Sequence, residues 1–363
     1  MSFNNIYNNK TVLVTGNTGF KGSWLTTWLL SLGAKVVGFS DKVPTTPSMY
    51  ETLRLEEKIK QVWGDVRDKD SVQGTINSYR PDFVFHLAAQ AIVSTSYKEP
   101  LDTISTNVMG TACVLDALKN VDWDCTAVII TSDKAYDNVE WIWGYRENDR
   151  FGGKDVYSGS KGAAELIIKC YWHSFLNKNT YLRMGVARAG NVIGGGDWAK
   201  DRIVVDTINA LANESSLEIR SPKATRPWQH VLEPLSGYLA LGQALAEGKG
   251  LNGEAFNFGP KAEQNKTVLE LVKDLMALWG SNIDVEIGDV PFHEATLLKL
   301  NCDKALAYLD WHSTLSYQQC IDFIASWYKE FYRGDSAMLF EKTQAQIAKY
   351  TQFAQSQNLN WTK

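Results

Sequence analysis

At 363 residues the chain exceeds one ordinary domain, which favours two domains or one enlarged α/β unit carrying a substrate lobe. Its 44% hydrophobic and 21% charged residues exclude a disordered or low-complexity chain. A net charge of −4, with no long Lys/Arg run, excludes a phosphate-tracking nucleic-acid binder.

From Lys10 onward short apolar runs alternate with longer amphipathic stretches, the pattern of a parallel sheet flanked by helices. TVLVTG predicts the first buried strand and residues 24–32 the helix after it. AKVVGFS and IKQVWGDV predict the second and third strands, residues 70–79 a helix, DFVFHLAA the fourth strand, and TAVIITS the next after a long helical stretch. Runs so continuously apolar are buried on both faces. The expected class is therefore α/β, a Rossmann-type doubly wound parallel sheet with a smaller mixed α/β substrate-binding lobe. Past TYLRMGVARAGNVIG the regularity weakens, and the glycine-rich stretch 194–201 marks the border of that lobe. GEAFNFG reads as one more sheet strand, so the two parts interweave along the chain. The expected division gives 1–190 to the dinucleotide domain, with a returning segment at about 222–259. Residues 191–221 and 260–340 then form the lobe, and 341–363 a C-terminal helical tail.

The first strand runs straight into a GxxGxxG turn, Gly16, Gly19 and Gly22, with Thr18 and Phe20 between them, and then into a helix. In that context Gly16 permits the tight turn, Gly19 lets a diphosphate approach the backbone, and Gly22 lets helix and sheet close together. Asp41 lies just past strand two, about 20 residues after the glycines, where a carboxylate takes both adenosine ribose hydroxyls and repels a 2′-phosphate. That favours NAD over NADP, although Lys42 beside it offsets the repulsion and a plain turn aspartate is the alternative. Asp65 and Val66 end strand three, at the adenine or as a structural turn. Leu87, Ala88 and Ala89 end strand four, where small residues let backbone pass close to the cofactor or simply pack.

The segment Val156, Tyr157, Ser158, Gly159, Ser160, Lys161 precedes a helical run, and a spacing of four puts Tyr157 and Lys161 on one helix face. An ammonium so placed favours phenolate and is expected to lower the tyrosine pKa, making Tyr157 a general base. YxxxK alone also describes an exposed helical pair. Ser132, at the end of a buried strand 25 residues before Tyr157, supplies a second hydroxyl and turns the balance.

TGNTGFKG, the Ser132 strand end and YSGSK together resemble the extended short-chain dehydrogenase/reductase family over nearly the whole chain. Within it, nucleotide-sugar 4,6-dehydratases carry an acidic pair after the catalytic hydroxyl; here Asp133 matches the acid and Lys134 replaces the second carboxylate. With RPWQHVLEP from Arg226 and the later His293, Glu294, Ala295 stretch, this resembles the branch acting on CDP-glucose, whose members share the lysine. The resemblance implies NAD as cofactor, CDP-glucose as substrate, and oxidation at C4, loss of water across C5 and C6, and reduction at C6. Asp133 would protonate the departing hydroxyl, and Lys134 would remove the C5 proton or stabilise the enolate. Asn191 is expected at the diphosphate or sugar, unless it only forms a turn. Arg202 and Arg226 suit the diphosphate, or surface ion pairs. His230 is expected to shape the pocket beside Trp228, and His293 joins it by resemblance alone.

Five scattered cysteines with no CxxC pair, and five histidines not spaced as ligands beside them, leave no metal site to expect. The odd thiol count and the polar opening MSFNNIYNNK point to a cytoplasmic protein, and no apolar run approaches the roughly 18 residues of a membrane span. The family resemblance implies a homodimer or higher homo-oligomer, without nucleic-acid or membrane partners. A nucleotide-sugar 4-epimerase and a non-catalytic NAD-sensing module are the rival functions.

Overall fold

The computed structural model describes residues 2–261, 264–288, 298–334 and 338–363. Eleven strands are labelled here in chain order: β1 Thr11–Thr15, β2 Lys35–Ser40, β3 Lys60–Trp63, β4 Phe83–His86, β5 Cys125–Ile130, β6 Leu182–Ala189, β7 Leu217–Ile219, β8 Thr225–Pro227, β9 Ala255–Phe258, β10 Asn265–Thr267 and β11 Val285–Ile287. Seven of them form one parallel sheet in the order β3, β2, β1, β4, β5, β6, β9. The alternation of side chains along each strand serves two cores. Val12 and Val14 of β1 join the Trp24, Trp28 and Tyr238 cluster on one face, while Leu13 joins Val37, Val84 and Met184 on the other.

Strand order reverses between β1 and β4, and at this switch point their carboxyl ends splay to leave a crevice. The first helix, Phe20–Ser31, starts four residues earlier than the apolar pattern implies, because the glycine turn feeds directly into it. Strands three and four stop at Trp63 and His86, short of the predicted ends, so Asp65, Val66, Leu87, Ala88 and Ala89 sit in the loops that follow their carboxyl ends. The expected return to the sheet at about 222 is made later. β8 pairs antiparallel with β10, and β7 pairs parallel with β11, in two small sheets of their own; only β9 rejoins the large one.

The C-terminal segment is a packed layer. Its Leu339–Ser356 helix buries Tyr350, and Trp361 beyond it stacks on Tyr350 at 5.8 Å and on Phe3 at 5.0 Å, edge-on to Trp28. Glu233, buried in the Leu232–Ala246 helix, accepts bonds from Tyr350 and from the backbone of Thr314 and Leu315, tying this layer to the sheet's helices. No helix among the described residues is long and apolar enough to cross a membrane. All five cysteines are free thiols.

Trp361→Ala removes the centre of this aromatic cluster and is expected to lower stability by about 3–5 kcal/mol, read from denaturant unfolding, because the rigid rings of Phe3, Trp28 and Tyr350 around it cannot collapse into the void. A change under about 1 kcal/mol would show that the terminal layer is peripheral.

Candidate active site

At the switch point the chain turns at Gly16 with φ 71°. A Cβ there would stand 2.8 Å from the Ala88 backbone, and one at Gly22 would stand 2.1 Å from the Gly16 carbonyl oxygen. Both glycines are demanded by the protein's own packing. Gly19 is not, since a Cβ on it would meet only Gly16 O at 3.4 Å, an ordinary contact. It caps the Phe20–Ser31 helix with no side-chain bond, which leaves the first N–H groups of that helix available to an anion. A cradle open at Gly19 and closed at Gly16 and Gly22 fits a dinucleotide diphosphate.

Around it, Asn17 is fully buried, donating to Gln61 at 2.7 Å and accepting from Ser40 at 2.9 Å. The Thr18 hydroxyl donates to the Lys42 carbonyl at 2.7 Å, so this side chain braces the turn. Phe20 is half-buried against the core. Asp41 is exposed past β2, with Lys42 Nζ 3.7 Å from its carboxylate. Asp65 is gripped by Arg67 at 2.6 Å, which also pairs with Asp102; the Arg67 hydrogen bonds hold its carboxyl below the ordinary aspartate value. Val66 is buried under Gly110. Ala88 N donates to Thr15 Oγ1 at 3.2 Å, and that hydroxyl bonds His86 Nδ1 at 2.8 Å. Burial then holds His86 far below its usual pKa, at about 3, so it is a neutral strut.

Beyond β5 the chain enters a short 3₁₀ turn capped by Ser132. The Ser132 hydroxyl accepts from Lys134 N at 3.2 Å and donates to Asp133 Oδ1 at 3.0 Å, and it lies close enough to Tyr157 to favour the phenolate. Tyr157 and Lys161 rise from the first turns of the Val156–Ser174 helix, which is capped by Asp155. Lys161 Nζ stands 5.9 Å from the Tyr157 ring centre. The expected lowering of the phenol is not met in the ligand-free chain. Burial pushes Tyr157 up to about 12, with nearby Ser132 opposing, and burial also brings Lys161 down to about 8, with Glu165 opposing. Desolvation is the largest influence on both groups. Asp133 is likewise raised by burial, against the pull of Lys134, Ser132 and Lys21.

Two features here are absent from the sequence reading. Glu165, one helical turn past Lys161, accepts from Thr131 Oγ1 at 2.5 Å and from Arg188 Nε and Nη2 at 2.6 and 2.9 Å, both partners being almost fully buried. Arg188 reaches on to Tyr136 Oη at 2.8 Å, and Tyr136 donates to Asn257 of β9 at 2.8 Å. The i,i+4 spacing from Lys161 was the available signal for Glu165. The second is Lys21, inside the glycine motif, whose Nζ lies 3.4 Å from Tyr238 Oη and which burial, then Arg202 and Lys161, bring down to about 8.

A cleft of about 380 Å³ opens beside these groups and extends into the lobe. Lys134, Tyr157, Asn191, Arg202 and Arg226 all line it, joined by Arg220, which the sequence reading leaves out. Arg202 pairs with Asp197 at 3.0 Å, so its guanidinium is both anchored and at the wall. Ser132, Asp133 and Lys161 lie behind the lining. His230 is a correction: fully buried, it meets Trp24 and Phe323 edge-on and accepts from Leu232 N at 3.3 Å. Its ring is core packing, because the bridge between Ile193 and His230 turns this position inward while Trp228 faces the cleft. His293 lies outside the described residues.

The profile of the family described as GDP-mannose 4,6 dehydratase matches residues 13–323. CDP-glucose 4,6-dehydratase of Salmonella typhimurium is 45% identical over 343 residues, spanning 93% of this chain and 96% of that protein. Among solved structures, dTDP-glucose 4,6-dehydratase from Bacillus anthracis in complex with NAD has a TM-score of 0.74 at 21% identity, over 88% of this chain and 97% of that one. UDP-glucuronic acid 4-epimerase from Bacillus cereus, in complex with UDP-glucuronic acid and NAD, gives 0.76 at 22%, over 89% and 100%. These two structural likenesses concern the fold.

Glu165→Gln leaves the Arg188 guanidinium buried without its counter-charge. It is expected to cost about 3–5 kcal/mol in unfolding free energy, whereas an exposed pair such as that of Lys10 with Asp82 costs under about 1 kcal/mol when broken. Equal effects from the two would contradict the role given to Glu165.

Proposed function

The chain belongs to the GDP-mannose 4,6-dehydratase family, and from that premise we infer that it is an NAD-dependent hydro-lyase converting CDP-glucose to CDP-4-dehydro-6-deoxyglucose. The observation that carries the reading is the placement of Lys134 and Tyr157 on one cleft with Asp133 just behind its lining, joined to 45% identity with a CDP-glucose 4,6-dehydratase over 93% of the chain. A 4-epimerase needs the tyrosine and the cofactor but has no use for an acid beside them to protonate a departing hydroxyl.

The glycine turn, Asp41, the Asp65 and Val66 loop and the Leu87 to Ala89 backbone would hold NAD along the crevice, with Tyr157 and Lys161 at its nicotinamide end. When bound, NAD⁺ brings positive charge to a site where burial otherwise keeps Tyr157 protonated, and it takes a hydride from sugar C4 and gives it back at C6. Asn191, Arg202 and Arg226 take the diphosphate and sugar on the lobe side. Tyr157 removes the O4 proton as C4 becomes a ketone. Lys134 takes the C5 proton, which the ketone acidifies, while Asp133 gives its proton to the C6 hydroxyl, and water departs. Lys134 then returns the proton to C5. At the end Tyr157 has gained one proton and Asp133 has lost one. Ser132, hydrogen-bonded to Asp133 and close to Tyr157, would pass a proton from one to the other and restore both.

The division of the chain into a dinucleotide part and a lobe follows the same logic, since the cleft takes its floor from the ends of β5 and β6 and its far wall from residues 202–228. A homodimer is supported by the exposed Leu101, Ile104, Met109 and Leu166, apolar side chains on the Pro100–Ile104 helix, the turn after it and the Val156–Ser174 helix. Free thiols in every cysteine accord with a cytoplasmic protein.

Purified protein supplied with NAD and CDP-glucose is expected to yield a product lighter by one water and carrying a ketone, with TDP-glucose turned over far less. Tyr157→Phe should reduce turnover by about 10³-fold or more. Unchanged mass with inverted C4 configuration would establish the epimerase.

A further inference from the structure

Gln229 is 2% exposed, and neither its Oε1 nor its Nε2 has a hydrogen-bond partner among the described residues. Buried amides are almost always satisfied, so one left with both ends free is set aside for something else. Its position is fixed by its neighbours. The Gln229 carbonyl accepts from Ile193 N at 2.9 Å, Trp228 before it donates to the Lys266 carbonyl at 2.9 Å, and His230 after it is locked in the core. The side chain is thereby held beside Gly190, at the end of β6. A Cβ on Gly190 would lie 3.1 Å from Asp133 Oδ2 and 3.8 Å from Gln229 Nε2, so the amide and the acid face each other over the side chain that Gly190 lacks. The other carboxyl oxygen, Oδ1, is already taken by the Ser132 hydroxyl.

We propose that Gln229 is a positioning residue for Asp133, binding its Oδ2 edge directly or through one water molecule throughout the elimination. This rests on the dehydratase reading above. The acid in that reaction passes through both protonation states, a carboxyl before the hydroxyl departs and a carboxylate after. A primary amide suits both, because Oε1 accepts from the carboxyl and Nε2 donates to the carboxylate. It also stays neutral, adding no charge to a site where Lys21 and Lys134 already act on Asp133. Gly190 completes the arrangement by leaving the space between them open.

The test separates water loss from C4 oxidation. Gln229→Met keeps the shape and removes the amide, and Gly190→Ala keeps the amide and wedges a methyl against Oδ2. Each variant, with NAD and CDP-glucose, is quenched with borodeuteride during the first turnover, so that sugar oxidised at C4 is marked by deuterium there, and labelled hexose retaining its C6 hydroxyl is separated from labelled 6-deoxy sugar. Both variants are expected to slow water loss by about ten-fold or more, to accumulate the C4-oxidised sugar, and to leave the CDP-glucose KM within about two-fold. Should one variant fail to fold, the other decides alone. Wild-type rates in a folded variant, or oxidation and water loss falling together, would overturn the assignment. Wild-type protein that removes no water from CDP-glucose would instead overturn the dehydratase reading beneath it.

Discussion

The buried ion pair between Glu165 and Arg188 is the constraint on which the reactive geometry depends. One carboxylate accepts from the hydroxyl that ends β5, from the guanidinium that rises out of β6, and belongs to the helix that carries Tyr157 and Lys161. Sheet pairing alone sets the height of Ser132 but not the rotation of the Val156–Ser174 helix against it. A bidentate bond in a dry interior sets that rotation, because neither partner can leave without exposing an unpaired charge to the core. Asn107 adds a second anchor on the same helix, donating to Ser160 at 2.9 Å.

Within that frame, burial is the main electrostatic agent. It raises Tyr157 and Asp133 and lowers Lys21 and Lys161, in each case disfavouring the charged form. In the proposed reaction the upward shift of Asp133 is the direction that an acid serving a departing hydroxyl needs. Tyr157, raised in the same way, would there depend on the positive charge of a bound nicotinamide to act as a base. Ser132, hydrogen-bonded to Asp133 and close to Tyr157, stands between the two.

The parts legible in the sequence were those whose signal is local. Apolar runs bounded by turns gave the sheet strands, since a strand buried on both faces writes its burial directly into its composition. The three glycines and the spacing of Tyr157 from Lys161 are short patterns with one geometric meaning in their strand and helix setting. What was not legible joins residues distant in the chain. Arg67 closing on Asp65 and Asp102, Arg188 reaching Glu165, and Gln229 meeting Asp133 over Gly190 leave no periodic trace. His230 misled for the same reason: three neighbours, Trp228, Gln229 and His230, face the cleft, the acid and the core in turn, and only the bridge to Ile193 decides which faces where.

The central claim, that oxidation, loss of water and reduction occur on one sugar at one site, is tested most directly with CDP-glucose deuterated at C4. The account predicts that a single turnover delivers the deuterium to C6 of the same molecule, with no exchange between labelled and unlabelled substrate mixed in one reaction. Deuterium found again at C4 would mean epimerisation, and deuterium scrambled between molecules would mean that the steps are not carried through within one active site.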